Sequence, residues 1–271
     1  MRLQEHERSQ EHRCGCRSTG RLYVQVMGLT SLLLVRHGES TANVAATAAE
    51  QAGAETIDLT HRDADVPLTD TGRSQAAAVG DWLRGLPDDR FPTSVLSSPY
   101  LRAASTAQIA LENQRLALPV HTDERLRDRE LGIIDGLTTA GVAARLPEEA
   151  ARRRHLGKFY YRPPGGESWA DVALRVRSLF RDIDLPAYGE RMLVVSHDAV
   201  ITLVRYLCEH LSEVDVLALA RATPLLNASI SILDRQPDGS WAVTEYNSVA
   251  HLTQSEAPVT AHTGNRDAFP H

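Results

Sequence analysis

Short apolar runs that stop at polar residues constrain this chain most. Leu32–Val35 and Met192–Val195 are each four residues long, Ser94–Ser97 holds Val95-Leu96 between two serines, and each gives way to polar side chains. Runs of that length suit strands covered on both faces, as in a parallel sheet. Leu116–His121 is a further strand candidate. Stretches with helical spacing lie between them. Ala76, Val79, Gly80 and Leu83 follow a start at Thr69-Asp70-Thr71-Gly72 and precede a stop at Leu86-Pro87. Leu101–Leu111, Thr138–Leu146 (ended by Pro147), a stretch from Glu167 carrying Val172, Val176, Leu179 and Ile183, and Ala199–Leu211 read the same way. Asn227–Leu233 and Trp241–Tyr246 alternate around Asp238-Gly239, which predicts a hairpin. Strands alternating with helices predict a layered α/β fold.

Composition narrows the function classes. Of 271 residues, 42% are hydrophobic and 24% charged, which is ordinary globular usage. The longest unbroken apolar run is Val216–Ala220, far below the ~20 residues of a membrane helix, so no membrane partner is expected. A formal charge of −6 argues against a general nucleic-acid binder. Cys14, Cys16 and Cys208 give no disulfide framework, and the polar first residues lack a secretory signal, which predicts a reducing, cytoplasmic setting. His12 with Cys14 and Cys16 matches no zinc spacing. Residues 1–28, with five arginines and three glutamates, read as a disordered extension, with structure beginning just after Met27. The expected domain is 29–252. Residues 41–66 read as a surface loop, and 253–271 as a loose, polar tail.

The chemistry-bearing residues fall at strand ends. Leu33-Leu34-Val35 runs into Arg36-His37-Gly38-Glu39-Ser40, with Asn43 just beyond. The carboxyl ends of strands are where open α/β sheets bind ligands. The second strand ends at Ser97-Ser98-Pro99 and is followed by Arg102, and a later one ends at Ser196-His197-Asp198. Two arginines and two histidines are therefore aimed at one sheet edge, the composition an anion site needs. Asp198 either caps the following helix or raises the pKa of the neighbouring imidazole. Neither a Gly-x-Ser-x-Gly elbow nor a phosphate-binding Gly-x-x-x-x-Gly-Lys-Ser/Thr loop occurs.

Arg36-His37-Gly38-Glu39-Ser40 with Asn43 resembles the signature of the histidine phosphatase superfamily, the phosphoglycerate mutase-like group. The likeness continues through Pro67-Leu68-Thr69 with Gly72 and Gln75-Ala76, then Ser97-Ser98-Pro99 with Arg102-Ala103 and Thr106-Ala107. It resumes at Leu126–Gly132 with Gly136, Gly165-Gly166-Glu167-Ser168 and Val195-Ser196-His197. The resemblance implies a three-layer α/β/α sandwich around a mostly parallel central sheet. It also implies a metal-independent phosphomonoesterase with no cofactor. His37 would be the nucleophile, with Arg36, Arg102 and His197 around the phosphate and Asn43 and Ser40 assisting. The family's usual acid position, a Glu, holds Asp128 here, and Glu130 is the rival. Lys158, Tyr161 and Arg162, after Arg152-Arg153-Arg154-His155, would belong to a basic, aromatic lid over the substrate; the alternative is a solvated helix face with packing aromatics. The implied partner is a small phosphorylated metabolite, with a homodimer open. Phosphoglycerate mutase-type transfer and non-catalytic sensing of a phosphate ligand are the rival functions.

Overall fold

The computed structural model describes residues 28–262 apart from 113, 115 and 116. Its sheet has six strands: β1 (Ser31–Arg36), β2 (Ser94–Ser97), β3 (Val120–Thr122), β4 (Arg191–Ser196), β5 (Ile230–Arg235) and β6 (Trp241–Ser248). The spatial order is β3-β2-β4-β1-β5-β6. β1, β2, β3 and β4 run parallel to their neighbours, and the β5–β6 hairpin joins the edge of β1 antiparallel. All six residues of β1 are buried, as a central strand covered on both faces requires.

Alternation along the strands divides the core in two. Leu32, Leu34, Leu96, Met192 and Val194 point to one face, where they pack with α6 (Trp169–Ile183) and α7 (Asp198–Cys208). Leu33, Val35, Val95, Leu193 and Val195 point to the other and meet α2 (Asp70–Gly85) and α3 (Leu101–Leu111). The result is the expected three-layer α/β/α sandwich. In α2 the buried residues Gly72, Gln75, Ala76, Val79 and Leu83 keep helical spacing, and Thr69 caps it by accepting from the Gly72 N–H at 3.0 Å.

Four expectations need correction. Residues 41–66 are not all loop, because α1 spans Thr41–Gln51. It buries no side chain, so no apolar period betrays it, and its signal is the capping box of Ser40 and Asn43. The helix expected over Thr138–Leu146 does end before Pro147, but a second helix not expected there follows. α4 (Thr139–Arg145) stops before the proline, and Pro147 opens α5 (Pro147–Tyr160), where its missing N–H costs no hydrogen bond. The third strand is confined to Val120–Thr122, and Leu116 lies outside the described residues. Residues 253–262 of the expected tail are not loose, and 263–271 lie outside the described residues. α8 (Glu213–Ala222) precedes β5, and α9 (Ala250–Gln254) follows β6. The chain then buries Ala257 and returns along β1's carboxyl end through Pro258, Thr260 and His262. The extension reading falls outside the described residues except for Gly28. Among the described residues, no helix is long and apolar enough to cross a membrane.

Candidate active site

Because β1, β2 and β4 are parallel, their carboxyl ends open at one edge and bring His37, Ser98 and His197 together. The His37 and His197 rings lie 5.1 Å apart at 60°, and the Tyr100 ring stands 5.5 Å from His197. His37 Nδ1 is 2.7 Å from the Gly38 carbonyl. A carbonyl only accepts, so Nδ1 carries the proton and Nε2 keeps its lone pair. Burial first, then the charges of Arg102, His197 and Arg36, hold this imidazole well below its ordinary pKa. Gly38 is required here, since a Cβ would run into the Gly72 backbone at the start of α2.

Arg36 is buried at the end of β1. Its Nη1 donates to the Leu225 carbonyl and its Nη2 to the His262 carbonyl at 2.9 Å, while Nε has no hydrogen-bond partner. Ser98 Oγ accepts from the Tyr100 N–H at 3.2 Å and stands 2.8 Å from His197 Nε2. If Ser98 donates to Nε2, the ring proton is on Nδ1. That atom lies 3.4 Å from Asp128 Oδ2 at an angle that makes no hydrogen bond. Arg36 Nε and His197 Nδ1 are thus buried nitrogens without a hydrogen-bond partner, and with Nδ1 protonated each would be a donor that an oxyanion could satisfy. Burial, with Arg102, Arg175 and Arg36, also depresses the His197 pKa.

Arg102 sits on the first turn of α3 with only 5% of its side chain exposed. Its Nη1 donates to the Asp63 carbonyl at 2.6 Å and to Asp63 Oδ1 at 2.8 Å. Nη2 reaches Asp63 Oδ2 at 3.4 Å and Asp128 Oδ2 at 3.1 Å. The loop carrying Asp128 is held from behind. Glu167 pairs with Arg127 at 2.7 Å and Arg175 at 2.9 Å, and accepts from the Glu130 N–H. Arg175 also donates to the carbonyls of Arg125 and Asp128. Gly132, at φ 56°, lets this loop lie against Pro164 and Gly166. Of the two rival carboxylates, Asp128 therefore touches Arg102 and approaches His197. Glu130 turns away to accept from the Tyr100 hydroxyl at 2.7 Å.

The remaining expected residues divide. Asn43 lies by the site, its Oδ1 accepting from the Ser40 N–H and Asn227, so its amide nitrogen is what it can offer an anion. Ser40 is fully occupied in capping α1. Lys158 packs 4.5 Å over the Trp169 ring, and burial lowers its pKa to about 8. Tyr161 is placed as a packing residue. It is buried with Ile134, Val142 and Ala150, and its hydroxyl donates to Glu149 at 2.8 Å. Arg162 is drawn away by an ion pair with Asp171 on the exposed side of α6. The packing alternative therefore holds for these two. Asp198 does neither thing expected of it. His197 occupies the N-cap position of α7, Asp198 is its first residue and accepts from Thr202 at 3.2 Å, and the His197 pKa goes down.

Four further residues contribute to the site with no role assigned to them from the sequence, although Thr106 belongs to the quoted likeness. Asp63 lies in a short turn at 63–65 with no periodicity around it. Thr106 accepts from the Gly38 N–H at 3.0 Å and donates to the Arg102 carbonyl. Asn227 donates to the His37 carbonyl at 3.3 Å. His262 joins Glu39 at 2.7 Å.

A family profile described as the histidine phosphatase superfamily (branch 1) matches residues 32–249. The chain belongs to that superfamily. It is 32% identical over 221 residues to 2,3-bisphosphoglycerate-dependent phosphoglycerate mutase 2 of Gloeobacter violaceus, covering 78% of this chain and 88% of that one. It is 27% identical to a metal-independent phosphoserine phosphatase of Arabidopsis thaliana, covering 83% and 84% of the two chains. A solved mycobacterial glucosyl-3-phosphoglycerate phosphatase, in complex with VO3, superposes with a TM-score of 0.63 at 29% identity, covering 81% of this chain and 100% of that one.

Proposed function

We propose that the chain is a phosphomonoesterase acting on a small phosphorylated metabolite through a phosphohistidine at His37. The observation that carries this reading is the neutral His37 ring, its Nε2 lone pair free because Nδ1 faces the Gly38 carbonyl, together with the unpartnered buried nitrogens of Arg36 and His197. A nucleophile for phosphorus must be unprotonated, and the developing charge on the phosphoryl oxygens needs fixed cations and donors. In the first step His37 Nε2 bonds to phosphorus as the ester P–O bond breaks, and the Asp128 carboxyl gives its proton to the leaving oxygen. Water then attacks phosphorus and releases inorganic phosphate, with the same carboxylate as base.

The test is phosphate release from a panel of monoesters that includes 3-phosphoglycerate, with EDTA present and His37→Ala as control. Release that survives chelation and disappears in His37→Ala is the expected result. Conversion of 3-phosphoglycerate to its 2-isomer without release would establish the mutase reading, which the mutase relatives favour. Tight ester binding with no turnover would establish a sensor.

A further inference from the structure

Two carboxylates meet on one nitrogen of Arg102. Asp63 Oδ2 and Asp128 Oδ2 both accept from Nη2, and Asp63 also takes Nη1 with its Oδ1 and its own carbonyl. The guanidinium is almost fully buried, whereas Asp63 and Asp128 keep 36% and 31% of their side chains exposed. The pair therefore forms the solvent-facing side of a buried cation. Asp63 is not diverted within its own turn, because Arg62 pairs with Asp65 at 2.7 Å. Other charges around the pair are mixed. Asp63 faces Asp135 and Tyr100, while Asp128 faces Arg36, Arg129, His197 and Asp198.

A phosphoryl group at His37 brings two further negative charges to this guanidinium. One cation then serves two carboxylates and a dianion, and like charges so placed cannot all stay ionised. We propose that Asp63 is a positioning residue for the reaction: paired with Asp128 across Arg102 Nη2, it makes binding of a phosphoryl dianion recruit a proton to the carboxyl pair, and Asp128 delivers that proton to the leaving oxygen. The proton comes from solvent through the exposed side of the pair and leaves on the product alcohol, so it balances over the step. Burial raises the Asp63 pKa; the Arg102 charge and hydrogen bonds oppose the rise, the Asp128 charge adds to it, and the net direction favours uptake. The inference rests on the phosphatase reading for its last step but not for the proton uptake.

The decisive measurement separates the two. Tungstate, a dianion that takes up no proton of its own at neutral pH, is titrated calorimetrically into the full chain at pH 7 in buffers of different ionisation enthalpy. Uptake of about one proton is expected for the wild type, and much less for Asp63→Asn, which keeps the shape and loses the charge. Asp63→Ser serves if the asparagine variant does not fold. Equal uptake in wild type and variant overturns the inference, whatever the enzyme turns over. With an alkyl phosphate, the alkaline limb of kcat, which reports the bound complex, should move to lower pH by about one unit in Asp63→Asn, a tenfold change in proton occupancy. With p-nitrophenyl phosphate, whose leaving group needs little protonation, that limb should stay in place. A pH-independent loss that is equal on both esters would mark Asp63 as merely structural. Absence of turnover in the wild type would sink the phosphatase reading alone.

Discussion

His37 is neutral because its whole surroundings disfavour a proton. The ring is buried, two guanidiniums and a second imidazole stand near it, and the Gly38 carbonyl opposes them. That carbonyl also selects which nitrogen is protonated, so one hydrogen bond prepares the nucleophile. Asp128 is one methylene shorter than the Glu expected there, yet it reaches Arg102 and lies within 3.4 Å of His197 Nδ1. Its role is resolved by leaving group. Asp128→Ala should slow alkyl phosphates by about 10²-fold or more and p-nitrophenyl phosphate far less, as steady-state kcat/KM would show. An equal loss on both would remove Asp128 as the proton donor. At this scale much was legible, since Arg36, His37, Arg102 and His197 all mark strand or helix ends. For Tyr161 and Arg162 both a lid and a packing reading stand open in the sequence, because residue type does not say which way a side chain turns. Local packing sent Tyr161 into the core and Arg162 to Asp171.

Among the elements, the returning C-terminal segment has the clearest bearing on the site. Thr260 and Pro258 accept from Gln75 at 2.9 and 2.8 Å, the Asn227 N–H donates to the Thr260 carbonyl, and the His262 carbonyl fixes one end of Arg36. A chain ending at Ala257 should bind tungstate about tenfold more weakly than one ending at His262, since a hydrogen bond to a charged group contributes about 1.5–3 kcal/mol. Equal affinities in calorimetry would show that Arg36 is oriented without the segment. The sequence reading took this stretch for a loose tail because it is short, polar and aperiodic. Its anchors are backbone carbonyls and single polar side chains, which leave no pattern. α1 was missed for a related reason. Its exposed small residues carry no apolar stripe, and the hydrogen bonds of its cap were the only local sign.

Across the whole molecule, buried imidazoles tie stability to pH. Burial holds His37 and His197 well below their ordinary pKa and lowers His251 to about 4. A base depressed in the fold takes up its proton first in the unfolded chain. Its contribution is therefore complete above about pH 6.5 and is lost as pH falls toward the folded value. For His251 the loss is on the order of 3 kcal/mol between those limits. Asp63 and Asp198, raised by burial, act in the opposite sense at lower pH. Tm followed from pH 7 to pH 4.5 should fall, and His251→Gln should flatten the slope; an unchanged slope would remove His251 from the account. The sequence by itself determined the layered α/β architecture and the edge at which chemistry gathers. Four-residue apolar runs can be buried on both faces only as central strands, and parallel strands must put their carboxyl ends on one side. Only the tertiary structure decided what completes the site. Asp63 and His262 lie far along the chain from the residues they contact, Arg102 and Arg36. Such pairings are made by the closing of loops over the sheet, and no local spacing encodes them.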